Sequence, residues 1–136
     1  MVIKMQIEVK EVRHDAPVFL MLCGELDSFL NVAIGGEEKR EKYKKFNHTD
    51  TMDFVAVAYE GGEPAGCGAL RKYSEKEVEI KRVFVREKYR GKNVGGMILE
   101  KLLEQAQQTG FERMILETGA FLGASIKLYR RYGFER

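Results

Sequence analysis

The stretch Val85–Gly96 reads VREKYRGKNVGG and lies between a strand-like run, Glu77 to Val85, and a helix-like run, Val94 to Thr109. A strand that turns through a Gly-rich, basic segment into a helix presents unpaired backbone N–H groups and the positive end of the helix dipole to whatever sits at the turn. Such a turn binds phosphate. Arg90, Gly91, Lys92, Asn93, Val94, Gly95 and Gly96 are therefore the candidate binding residues. The blander alternative is a Gly-softened loop with solvated basic side chains. A Walker loop is excluded because GxxxxGK[ST] is absent, and the glycines do not fit the GxGxxG dinucleotide fingerprint.

Working outward, the strand EVEIKRVFV is apolar at Val78 and Ile80 and then at Val83 and Val85, so its period of two slips near Lys81-Arg82. Two readings account for this: one extra residue, a β-bulge that splays the strand from its neighbour, or a strand end apolar on both faces, as Phe84 suggests. Upstream, Met52–Tyr59 and Ala65–Tyr73 read as two strands joined by Glu60-Gly61-Gly62-Glu63, whose glycines supply the positive φ angles of a tight hairpin. Ser74-Glu75-Lys76 is a second turn, so three strands form an antiparallel meander. Downstream, Val94, Ile98, Leu102 and Ala106 form one i, i+4 row, and Gly110 suits the helix end. Phe111 to Thr118 is a strand and Gly123 to Tyr132 a short helix. Strand, helix, strand implies a parallel pair with a right-handed crossover, which puts the Gly-rich turn at the carboxyl end of a sheet strand, where ligands bind.

The first fifty residues complete the pattern. Ile3, Met5, Ile7 and Val9 alternate as a half-buried strand. From Pro17, Phe19, Leu20, Leu22, Cys23, Leu26, Phe29 and Leu30 recur at helical steps as one apolar face, with Asp15 as the expected N-cap and Gly35-Gly36 as the break. The following EEKREKYKKF is a short helix or a charged, solvated loop. The chain stops at Gly133-Phe134-Glu135-Arg136, where a new strand would begin, so either a last strand is missing or the fold closes without it. The expected architecture is α/β with a mixed sheet, flanked by about four helices, in a single domain over 1–136.

Composition narrows the function class. With 136 residues, 44% hydrophobic and 32% charged, the chain can bury a core without staples. A net charge of +2 carries no global signature of nucleic-acid binding. Cys23 and Cys67 lie far apart in sequence and in no ligand spacing, so they read as buried small hydrophobes rather than a disulfide framework or a metal site. His14 and His48 have no nucleophile motif beside them. There is no apolar run of membrane-spanning length and no signal segment, so no membrane association is expected and the cytoplasm is the expected address.

From about Asp53 to Phe134 the sequence resembles the GNAT superfamily of acetyl-CoA-dependent N-acetyltransferases. Arg90-Gly91-Lys92-Asn93-Val94-Gly95 is similar to the family's Arg/Gln-x-x-Gly-x-Gly/Ala segment, with Asn93 where Gly is usual. Gly62–Leu70, Glu79–Val85, Leu116-Glu117-Thr118-Gly119 and Leu128-Tyr129-Arg130-Arg131-Tyr132-Gly133-Phe134 match further pieces in order. The resemblance implies acetyl transfer from acetyl-CoA to a primary amine of a small molecule or peptide, by direct attack in a ternary complex. By the same resemblance the loop amides hold the coenzyme A pyrophosphate, and the backbone of Val83, Phe84 and Val85 faces pantetheine and the thioester. Glu79 is the implied base, directly or through water, and Tyr129 the implied acid; the blander readings are a surface or salt-bridged carboxylate beside Lys81 and a core aromatic on the last helix. His48, Asp50 and Asp53 could read an acceptor amine, though a loop with a capping Asp is the favoured reading. Two alternatives stand beside this reading: a non-catalytic acyl-CoA-binding module, and a protein-lysine acetyltransferase with an open groove. A sheet with an exposed final edge would also invite a homodimer.

Overall fold

The computed structural model describes residues 1, 6–34, 52–116, 130–131 and 133. The elements run β1 (Ile7–Val12), α1 (Pro17–Ile34), β2 (Phe54–Glu60), β3 (Glu63–Lys72), β4 (Glu77–Val85), a 3₁₀ turn (Glu87–Tyr89), α2 (Val94–Thr109) and β5 (Arg113–Leu116). The expected helices over 37–46 and most of 123–132, the rest of the last strands and Tyr129 lie outside the described residues. Residues 130–131 are helical.

Five strands form one sheet in the order β1-β2-β3-β4-β5. The first four are antiparallel, and β4 pairs with β5 in parallel, Glu77 opposite Arg113 through Ile80 opposite Leu116. The β2–β3 hairpin closes on Gly61 at φ 58° and Gly62 at φ 85°, the signs that a two-residue turn with the native strand twist requires. β2 reads FVAVA without polar alternation because both faces of the sheet are covered. Phe54, Ala56 and Ala58 join the core under α2, whereas Val55 and Val57 pack with Phe19, Leu22 and Cys23 of α1.

α2 presents Val94, Ile98, Leu99, Leu102 and Ala106 to the sheet. Each large aliphatic side chain so buried contributes about 1.5–3 kcal/mol. The helix can come this close because β3 carries Gly66 and Gly68 beneath it. A Cβ on Gly68 would lie 2.7 Å from Ile98 Cγ2 and 3.0 Å from Leu102 Cδ1.

On α1 the expected row is buried at Phe19, Leu22, Cys23, Leu26 and Leu30, but Leu20 and Phe29, also read as inward, are exposed at 45% and 41%. The helix start also differs from expectation. The Ala16 carbonyl accepts the first helical bond, from Leu20 N–H at 3.0 Å, so Ala16 occupies the cap position. Asp15 stands one residue outside it and takes Arg13 as its partner at 2.9 Å. Pro17, at the first helical position, needs no N–H partner.

Candidate active site

The bulge is present. Cys67 faces Phe84 and Ala69 faces Lys81, so two steps along β3 oppose three along β4. Arg82, beside the step, adopts a left-handed φ of 58°. The described pairing of β4 with β5 ends at Ile80 opposite Leu116, just before this bulge. Val83, Phe84 and Val85 follow it, then the 3₁₀ turn and the Gly-rich loop.

The loop enters α2 through Asn93 at φ 62° and ψ 24°, without a side-chain cap. Asn tolerates this left-handed conformation better than most residues, so it serves where the resemblance has glycine. The first helical bond runs from Met97 N–H to the Asn93 carbonyl at 3.1 Å. The N–H groups of Val94, Gly95 and Gly96 therefore have no partner within the helix, and about half a positive charge gathers there.

The basic side chains around this turn are held by the protein. Arg90 Nε donates to the Val85 carbonyl at 3.0 Å, and its guanidinium lies 5.5 Å from the centre of the Phe29 ring. That stacking gives exposed Phe29 a role that helical periodicity concealed. Lys92 Nζ meets Glu60 Oε1 at 3.2 Å. A cleft of about 800 Å³ opens beside the loop, lined by Glu25, Phe29, Phe84, Arg86, Tyr89 and Arg90 among others. Its mixed charge and apolar wall suit a long amphiphilic ligand better than a bare anion.

Glu79 is buried, at 7% exposure. Its carboxylate lies 3.0 Å from Lys81 Nζ and 3.5 Å from Arg71 Nη2. Lys81 is two residues along the same strand face, which made it visible in the sequence. Arg71 is the cross-strand partner of Glu79, a relation that only the β3–β4 register creates. Asp53, by contrast, is a structural residue: its Oδ2 accepts from Lys72 N–H at 2.7 Å. His48 and Asp50 lie outside the described residues.

The same face holds groups that sequence reasoning missed. Arg82 Nη1 lies 2.7 Å from Asp27 Oδ1, and Arg86 Nε lies 2.9 Å from Glu25 Oε1, so two ion pairs join β4 and its end to α1. The Arg82 and Asp27 side chains are 6% and 26% exposed and those of Arg86 and Glu25 33% and 35%, so solvent screens the second pair more than the first. Cys23 and Cys67 are both free and buried, as expected, yet they sit close enough for each to perturb the other's titration. Cys67 Sγ also donates to the Arg82 carbonyl at 3.3 Å. Among the described residues, no cluster of His, Cys, Asp or Glu could hold a metal ion, and no helix is long and apolar enough to cross a membrane.

Residues 21–134 match the family model described as the acetyltransferase (GNAT) family. The chain belongs to the GNAT acetyltransferase family. Relatives agree with this. An uncharacterized N-acetyltransferase of Bacillus subtilis, YsnE, is 38% identical over 80 residues, covering 57% of this chain and 53% of that one. An IAA acetyltransferase of Azospirillum brasilense is 38% identical over 79 residues, covering 57% and 52% respectively. The chain thus spans about half the length of these curated relatives. Its fold resembles that of a GNAT family acetyltransferase from Elizabethkingia anophelis solved with acetyl-CoA bound, with a TM-score of 0.69 and 22% identity over 95% of this chain and 76% of that one. As a GNAT chain it has the mixed sheet and the Gly-rich turn in the order that the sequence implied, and the β3–β4 register decides for the bulge in β4.

Proposed function

We propose that this GNAT chain is an acetyl-CoA-dependent N-acetyltransferase whose acceptor is a primary amine of a small molecule or peptide. The observation that carries the reading is the continuous path from the bulged β4 strand through left-handed Asn93 into α2, with the Val94, Gly95 and Gly96 amides at its head. Three convergent N–H groups without side chains at two of the three positions fit a pyrophosphate. Acetyl-CoA is the substrate that supplies the activated acyl group.

Each chemical requirement has a residue assigned to it. The amine must be uncharged to attack the thioester carbonyl carbon, and Glu79 takes its proton directly or through water. Backbone groups at Val83, Phe84 and Val85 align the pantetheine arm and offer an N–H to the developing oxyanion. As the carbon–sulfur bond breaks, Tyr129 delivers a proton to the leaving thiolate, the role its place in the closing motif implies.

Free CoA release, measured with acetyl-CoA over a panel of polyamines, aminoglycosides, amino acids, peptides and IAA, tests the reading. Release with at least one amine is expected. Acetyl-CoA binding without release for any amine would instead favour a non-catalytic binding module, and no binding would sink both. With an accepted amine, Tyr129→Phe should lower kcat by about a hundredfold or more while leaving acetyl-CoA affinity near that of the parent. Unchanged turnover removes Tyr129 from the mechanism.

A further inference from the structure

We infer that the Asp27–Arg82 ion pair, together with the Cys67 thiol on the Arg82 carbonyl, is a positioning clamp that holds the β4 bulge in shape for the pantetheine arm of the donor; this rests on the acetyl-CoA reading above. The bulge is not the default state of this strand. Arg82 has a Cβ and sits at φ 58°, where an L-residue with a bulky side chain is strained. Left to local preference, the segment would return Arg82 to the extended region and shift Val83 to Val85 against β3, sending each side chain to the opposite face.

The surrounding contacts oppose that slip from three directions. The Arg82 guanidinium, with its side chain only 6% exposed, is fastened to Asp27 of α1 at 2.7 Å. The Arg82 carbonyl accepts from Cys67 Sγ at 3.3 Å, across the bulge on β3. Four residues on, Arg86 is fastened to Glu25 of the same helix at 2.9 Å. Arg82 and Arg86 therefore bracket Val83, Phe84 and Val85, and one turn of α1 supplies both anions. A helix that only needed attachment to the sheet would gain little from anchoring on the strained residue itself.

The clamp acts on the pantetheine arm and not on the phosphates, which gives a readout independent of any acceptor. Calorimetric titration of the full chain compares CoA with adenosine 3′-phosphate 5′-diphosphate, its nucleotide part without the arm. The parent should bind CoA more tightly than the nucleotide. In Arg82→Ala that advantage should shrink by about five- to thirtyfold, the strain of a left-handed L-residue converted to a ratio, while nucleotide affinity stays unchanged. Arg82→Gly should recover a clear part of the loss, because glycine takes this φ without strain. Asp27→Asn, isosteric and partly exposed, should lose the advantage without unfolding the chain.

Parental CoA advantage in all three variants, or a glycine variant no better than the alanine one, would overturn the clamp and leave the proposed function standing. A parent chain that binds neither ligand would overturn the function and the clamp together.

Discussion

Asn93 and Arg82 are the described non-glycine residues with positive φ, at 62° and 58°, and both lie on the path from β4 into α2. Backbone strain concentrates where surrounding contacts over-determine it, which is a property of ligand sites. For Asn93 the strain is mild, and its tolerance of the left-handed region was legible from residue type alone. A β-branched residue there has no such tolerance. Asn93→Val should destabilise the fold by about 1–2 kcal/mol and weaken CoA binding, whereas Asn93→Gly should preserve both. Urea denaturation and CoA titration of the two variants check this, and equal behaviour of Val and Gly would contradict it. Asp15 shows the reverse case. A capping residue type stood near a helix start, but its position relative to Pro17 and its pairing with Arg13 gave the cap to Ala16.

At the scale of elements, β3 and α2 depend on each other through absent side chains. Gly68 lies where a Cβ would press into Ile98 and Leu102, so α2 would have to move outward to admit one. The amides assigned to the pyrophosphate sit on the first turn of that helix, which links packing to binding. Gly68→Ala should destabilise the protein by about 1–3 kcal/mol and lower CoA affinity in parallel. A Gly68→Ala protein with parental urea midpoint and parental affinity would show that α2 is not seated on β3 as described. The meander, the hairpin turn and the length of α2 follow from local pattern, since periods of two and 3.6 report which face is covered. The slip in EVEIKRVFV left two possibilities, and the register of β3 against β4 chose the bulge.

For the whole molecule, the two cysteines show how tertiary packing changes a residue's chemistry. The neighbouring Cys23 thiol and burial push the Cys67 thiol well above its ordinary value of 9.0, while the same closeness lowers Cys23. Both thiols are buried, and the upward shift of Cys67 is the larger of the two. A raised folded pKa means that the native state keeps a proton the unfolded chain loses. The resulting stabilisation is complete below the unfolded value of about 8.5 and disappears as pH climbs through the folded one. The unfolding free energy should therefore fall as pH rises past the unfolded value, and Cys67→Ala should flatten that part of the profile. Equal slopes for the two proteins would refute the assignment.

By itself the sequence determined the order of the described strands and helices, the hairpin glycines, the Gly-rich turn and the family, because hydrophobic period and turn stereochemistry act over a few neighbouring residues. The Arg71 partner of Glu79, the Asp27–Arg82 and Glu25–Arg86 ion pairs and the Cys23–Cys67 contact were decided by tertiary structure alone. Each joins residues from different layers or strands, and such pairs exist only once α1 and the strands have packed into register.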